Sequence, residues 1–149
     1  MPRKEKPPEV LIDTNVLISG LVFGSGNEHE VLRLAEAGMI RLVVPEYVLA
    51  EARRVLARRF PGFQGLLDVY LSRAGFREVP REATQEHLGD AAGKVRDPKD
   101  TAVLASVLAA KPRYFVTGDK DLREDVSMSV DPRITEAVSS RELIERCSE

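Results

Sequence analysis

Sulfur and aromatic chemistry are nearly missing from this chain. A single cysteine, Cys147, among 149 residues excludes an intramolecular disulfide framework and a cysteine-based zinc site. There is no tryptophan and aromatic residues make up only 5% of the chain, so no base-stacking platform for nucleic acid is evident. The only two histidines, His29 and His87, lie in polar surroundings and read as surface residues. A net charge of −2 gives no global pull toward nucleic acid, so any such binding must rest on a local patch. No apolar run approaches the roughly 18 residues of a membrane span. The basic start, with Arg3, Lys4 and Lys6, lacks the apolar stretch of a secretory signal. A cytoplasmic protein with no membrane partner is the expectation. Internal repeats, low-complexity tracts and interior linkers are also absent.

What is present is an alternation of strands and helices. The length suits one domain spanning 1–149, with residues 1–8, rich in proline, as a flexible lead-in. Apolar (43%) and charged (31%) fractions are ordinary for a globular protein. Short apolar runs at 10–12, 40–44, 76–79, 114–117 and 134–138 predict five strands. Helical spacing or end signals predict helices at 14–23, from Asn27 to Gly38, at 46–59, 63–74 and 97–110, and a last one opened by the capping box Ser139-Ser140-Arg141-Glu142. Only a helical turn is assigned between 81 and 96, and nothing between Asp121 and the fifth strand. Such alternation predicts a three-layer α/β/α sandwich around a mostly parallel five-stranded sheet.

Four carboxylates stand where these elements would aim them at one cleft. Asp13 and Asp119 follow apolar strands, and in open α/β sheets sites form at the carboxyl ends of strands near a topological switch point. Each acid also has a plainer reading. Asp13, in Asp13-Thr14-Asn15, suits a helix N-cap. Glu51 borders the apolar stripe of its helix between Val48 and Val55, where it could pair with Arg54 or Arg58. In Arg96-Asp97-Pro98-Lys99-Asp100, Asp97 reads as a cap, Pro98 as the first helical residue and Asp100 as a first-turn acid beside the positive helix end. Asp119 and Asp121, flanking Lys120, fit turn chemistry. Four such placements together are harder to assign to chance than any one.

Leu11-Ile12-Asp13-Thr14-Asn15, the Glu51 helix, Arg96-Asp97-Pro98-Lys99-Asp100 and Val116-Thr117-Gly118-Asp119-Lys120-Asp121 together resemble the motifs of PIN-domain ribonucleases. The likeness runs from about Glu9 to Glu145 and is nearest to the small prokaryotic toxins of toxin–antitoxin systems. It implies a five-stranded parallel sheet and a catalytic set of Asp13, Glu51, Asp100 and Asp119, with Asp121 added as a metal ligand. Asn15 and Thr117 match the family's supporting polar positions. Thr101 departs from it, standing where Asn is frequent. The resemblance further implies an RNA substrate, a homodimer and a small antitoxin whose segment enters the acidic cleft.

The residues suit that chemistry independently of the family. Clustered carboxylates supply the oxygen ligands that Mg²⁺ or Mn²⁺ prefers, and such ions support phosphodiester hydrolysis without a side-chain nucleophile. Arg53, Arg54, Arg58 and Arg59 on the Glu51 helix, with Lys94, Arg96, Lys99 and Lys120 in nearby loops, are candidates for gripping phosphates. Phe60, Phe63, Leu66, Leu67, Tyr70 and Leu71 form an apolar stripe that either covers the domain's own core or leaves a dimer face. Two competing classes remain. A dehalogenase-type phosphatase expects a second Asp two residues after the first, and position 15 is Asn. A non-catalytic PIN-fold module binding RNA or a partner would have no need of the full acidic set.

Overall fold

The computed structural model describes residues 6–148. The expected lead-in therefore lies largely outside the described residues; Lys6 to Pro8 carry no regular structure. The chain runs β1 (Glu9–Ile12), α1 (Thr14–Val22), α2 (Asn27–Glu36), β2 (Arg41–Pro45), α3 (Glu46–Arg59), a 3₁₀ turn at Pro61–Phe63, α4 (Gln64–Ala74) and β3 (Phe76–Val79). It continues with α5 (Arg81–Glu86), α6 (Leu88–Ala91), a 3₁₀ turn at Pro98–Asp100, α7 (Thr101–Ala110), β4 (Tyr114–Val116), α8 (Lys120–Ser129), β5 (Glu136–Val138) and α9 (Ser140–Cys147).

All five strands are parallel, in the order β3-β2-β1-β4-β5. A parallel sheet needs both faces covered, and strand alternation divides the core accordingly. Val10, Ile12, Leu42, Val44, Val116 and Val138 face α1, α2, α3, α4 and α9. Leu11, Val43 and Phe115 face the other way, onto α6, α7 and α8. The three-layer α/β/α sandwich expected from the sequence is the observed fold. Order reverses around β1: the chain builds β2 and β3 on one side, then returns to place β4 and β5 on the other. The crevice between the carboxyl ends of β1 and β4 is thus the switch point where ligands enter such sheets.

Most elements match their expected places, and end signals explain why. Gly38 takes φ +78°, and the amide of Met39 closes back on the carbonyl of Leu34 at 2.9 Å, ending α2 where a left-handed residue is needed. Ser139 and Glu142 form the reciprocal capping box at α9. Two helices, α5 and α6, stand where a single helical turn around Thr84 to Leu88 is expected, and helix α8 has no sequence assignment at all. Its segment Lys-Asp-Leu-Arg-Glu-Asp-Val-Ser-Met-Ser has only Leu122 and Val126 at helical spacing toward the core, beside a buried Asp125. Two apolar positions fall short of a periodic signal. The fifth strand is also shorter than expected: Ile134 is exposed, and Thr135 instead donates its hydroxyl to the Pro112 carbonyl at 2.6 Å. No helix among the described residues is long and apolar enough to cross a membrane.

The apolar stripe around α4 is mostly core. Leu67, Tyr70 and Leu71 are buried, and Tyr70 donates its hydroxyl to the Leu32 carbonyl at 2.8 Å. Of the six residues, Leu66 is the one that stays largely exposed, with Val69 beside it.

Helices α1 and α2 approach closely at Gly20. A Cβ there would lie 2.6 Å from the Leu32 Cδ1 and 2.8 Å from the Glu28 carbonyl oxygen. Leu32 is buried, and the Glu28 oxygen belongs to the backbone. Alanine would gain about 1 kcal/mol of helix propensity, less than the roughly 1–3 kcal/mol that overpacking costs. Gly20→Ala should therefore lower the melting temperature by several degrees, and an equal or higher value by calorimetry would show that the contact yields.

Candidate active site

Asp13 comes first, because the sheet positions it directly. Its amide donates to the Val116 carbonyl at 3.0 Å, continuing the β1–β4 ladder one residue past the strand. The side chain then does two things. One carboxylate oxygen accepts from the Thr14 amide at 2.9 Å at the start of α1, and the other accepts from the Thr117 hydroxyl at 2.8 Å. Capping and facing the cleft are therefore not alternatives for this residue. Burial holds its carboxyl above the usual carboxylate range; the two hydrogen bonds oppose that shift, and the nearby Glu51 and Asp119 carboxylates add to it.

Thr117 is completely buried. Besides donating to Asp13, its hydroxyl accepts the Asp119 amide at 3.2 Å. Asp119 in turn caps α8, accepting from the Leu122 amide at 3.2 Å. One threonine thus joins both strand-end aspartates.

The other two acids arrive on helices. The turn Asp97-Pro98-Lys99-Asp100 divides its labour as the sequence suggests: Asp97 accepts the Lys99 amide at 3.0 Å, while Asp100, at the cap position of α7, makes no side-chain capping bond. Its carboxylate is left to the cleft. Burial raises its pKa to about 6, aided by Asp13, Asp97, Asp119 and Asp125, with no hydrogen bond to its charged form in opposition. Glu51 lines the same cleft from α3 and forms no ion pair with Arg54 or Arg58.

The resulting cavity, about 560 Å³, is lined by Asp13, Glu51, Asp97, Asp100 and Asp119, with Asn15 on its rim and Lys99 its lone cationic side chain among the described residues. Thr14, Thr117, Gly118, Ala102, Val103 and Tyr47 complete the wall. Tyr47, one turn before Glu51, was not among the sequence candidates. Its hydroxyl is buried without a hydrogen-bond partner among the described residues, and burial pushes its ionisation far up. A tyrosine one turn from a candidate acid was the available signal.

Asp121 stands apart from this group. It does not line the cavity, and its carboxylate lies 2.7 Å from the Arg96 guanidinium. Among the basic candidates, Arg53 is paired with Asp68 at 3.0 Å across to α4, and Lys120 lies on a different surface hollow with Arg123 and Glu142. Neither histidine reaches the cavity: His29 contacts the Gly20 carbonyl at 3.1 Å and His87 faces Asp90.

The PIN-domain sequence profile matches residues 9–121. The chain belongs to the PIN-domain family. PIN domains are in general nucleases that use divalent metal ions. No curated protein sequence matches this one. Among solved structures, it is similar to a chain of VapBC2 from Rickettsia felis, crystallised bound to a DNA fragment from their promoter. There the TM-score is 0.64 at 16% identity, over 87% of this chain and 98% of that one. At that identity the likeness speaks for the fold alone.

The donor set fits a hard divalent cation. Every acidic group in the cavity offers oxygen, the ligand type of Mg²⁺ and Mn²⁺. Among the described residues no three acidic, histidine or cysteine side chains already close around one point. The arrangement thus suits an ion that keeps several waters and takes one or two carboxylates directly. Burial is the main reason the carboxyl groups of Asp13 and Asp100 are raised, and the neighbouring carboxylates add a repulsion that such a cation would relieve.

Asp100→Asn should accordingly raise the melting temperature of metal-free protein. The sign follows from the direction of the shift. A carboxyl whose folded pKa is raised costs stability fully above that pKa, near 6 here, and nothing below its unfolded value. The gain should be largest near pH 7.5, shrink as pH falls through 6 and vanish near 4. Melting curves in chelator across that range check it; a gain independent of pH would point to another cause.

Proposed function

We propose that this PIN domain is a Mg²⁺- or Mn²⁺-dependent ribonuclease that hydrolyses phosphodiester bonds of single-stranded or structured RNA, acting as the toxin of a toxin–antitoxin pair. The observation that carries this reading is the convergence of Asp13, Glu51, Asp100 and Asp119 in one cavity at the switch point of the sheet. In this reading Asp13 and Asp119 are the principal metal ligands, and Asp100 and Glu51 bind directly or through water. When bound, the ion supplies charge stabilisation at the phosphate and a more acidic water. Thr117 and the Thr14 amide together fix the orientation of Asp13. Asn15 and Lys99, both exposed at the cavity, are placed to touch substrate oxygens. The toxin role rests on the resemblance of the motifs to those of small prokaryotic toxins, and the fold shared with a chain of the VapBC2 complex agrees with it. An antitoxin, a homodimer and a cytoplasmic setting belong to the same proposal. A mass near 16.5 kDa by light scattering would reject the dimer.

RNA in this proposal runs along α3. Arg53 is engaged by Asp68, and Arg59 lies over the Phe60 ring. Arg54 and Arg58 stand three and seven residues beyond Glu51, on its face of the helix, exposed and without an ion pair among the described residues. They make a cationic track leading out of the cavity.

Purified protein should cut RNA with Mg²⁺ or Mn²⁺ and stop in chelator; cleavage that survives rigorous metal removal refutes the mechanism. Asp13→Asn keeps one of the two hydrogen-bond acceptors and loses a ligand charge. Its activity should fall by more than the roughly 10–100-fold typical of losing an outer-shell partner, while the protein stays folded at the assay temperature. Arg54→Gln and Arg58→Gln should each weaken RNA binding and reduce the salt slope of log K by about 0.7, the value of one single-strand phosphate contact. Arg53→Gln should not. Equal effects at all three positions would remove the proposed track.

A further inference from the structure

Arg96 engages three carboxylates among the described residues, and nothing in the proposed chemistry uses it. Its guanidinium meets three carboxylates of α8: Asp121 at 2.7 Å, Glu124 at 2.8 Å and Asp125 at 3.2 Å. Its amide donates to the second oxygen of Asp125 at 2.9 Å, so Asp125, which is buried, holds both the side chain and the backbone of one residue. An exposed ion pair usually contributes little. A planar guanidinium shared among three acids, with its backbone tied to one of them, defines a geometry instead.

What the clasp joins gives it meaning. Arg96 directly precedes the turn Asp97–Asp100, and Asp121 lies two residues after Asp119. These two segments otherwise enter the cavity from separate parts of the chain, one opening α7 and the other opening α8. Helix α8 has only two buried apolar residues to seat it. Its other polar tie, Arg123 to the Thr117 carbonyl at 2.8 Å, holds it to β4 and not to the Asp100 turn.

We propose that Arg96 is the positioning residue that sets the spacing of Asp100 and Asp119 for the metal ion, and that Asp121 acts as its partner and not as a ligand. The inference rests on the metal-dependent reading above, and the test separates the two. Mn²⁺ affinity is measured by calorimetry on the whole protein for wild type, Arg96→Gln, Asp121→Asn and the double variant. If wild type binds no Mn²⁺, the metal-dependent reading fails before the clasp is reached.

The expected sign is informative. Removing a positive charge beside an acidic cavity should, by electrostatics alone, strengthen cation binding. Loss of positioning weakens it instead, by about 10–100-fold as for outer-shell partners of metal ligands. Asp121→Asn should weaken binding only a few-fold, because Glu124 and Asp125 still hold Arg96. In the Arg96→Gln background the same change should have less than a twofold effect, since coupled residues are not additive. Wild-type or tighter affinity in Arg96→Gln overturns the proposal. So does an Asp121→Asn loss that multiplies fully onto it, which would make Asp121 a ligand. Weaker RNA binding with unchanged Mn²⁺ affinity would make Arg96 a phosphate contact and overturn it as well. Should Arg96→Gln melt below the assay temperature, Arg96→Lys gives the reading. One ammonium cannot span three carboxylates, so its affinity should fall between the two, and a wild-type value would overturn the clasp.

Discussion

The buried hydroxyl of Thr117 is the contact on which the acidic cavity depends. It has one proton and two lone pairs, and it spends the proton on Asp13 and a lone pair on the amide of Asp119. That arrangement follows from the sheet. Ile12 pairs with Val116, so the next residues on each strand, Asp13 and Thr117, leave the ladder side by side at the switch point. A slip of one residue between β1 and β4 would turn every side chain to the opposite face. Val10 and Ile12 would then leave the first hydrophobic layer, so packing of the whole sheet enforces the register that the site needs.

Holding several carboxylates in one cavity is unfavourable, and the fold offsets part of the cost with helix ends. Asp13, Asp100 and Asp119 each sit at the N-terminus of a helix, α1, α7 and α8 respectively. The exposed amides and aligned dipoles there favour negative charge. Three such ends border one cavity because β1 and β4 send their following helices to opposite faces of the sheet, while α7 arrives from the second layer. Glu51 differs, projecting from the middle of α3 with no helix end to support it.

Much of this was legible from sequence, for reasons that also mark where legibility ends. Asp13 and Asp119 could be placed because short apolar strands precede them, and strand ends in parallel sheets face one edge. Asp97 and Asp100 could be separated into cap and cleft residue because proline fixes the first helical position. Asp121 resembles Asp119 in local sequence but turns away, since its direction depends on α8, an element with too few apolar residues to announce itself. The arginines of α3 look alike in sequence; only Asp68 on α4 and the ring of Phe60 distinguish the engaged ones from Arg54 and Arg58. The stripe at Leu67, Tyr70 and Leu71 likewise could not be told from an exposed face by its period, because a helix covering its own core has the same one.

The aspartates of the cavity are not equivalent, and hydrogen bonding makes the difference. Asp13 is the more enclosed, yet two donors, Thr14 and Thr117, favour its charged form and offset part of its burial. Asp100 receives no such donor, so burial and its acidic neighbours lift its carboxyl to about 6. A group held by fixed donors keeps both its charge and its orientation before any ion arrives. A group without them gains most from a cation. The cavity thus combines a carboxylate oriented by donors at the sheet edge with one at a helix end that has no capping bond of its own. The segment carrying the second is tied to α8 through Arg96. Such a set suits a hydrated divalent ion, since its octahedral shell tolerates little error in the direct ligands while its waters bridge to the rest.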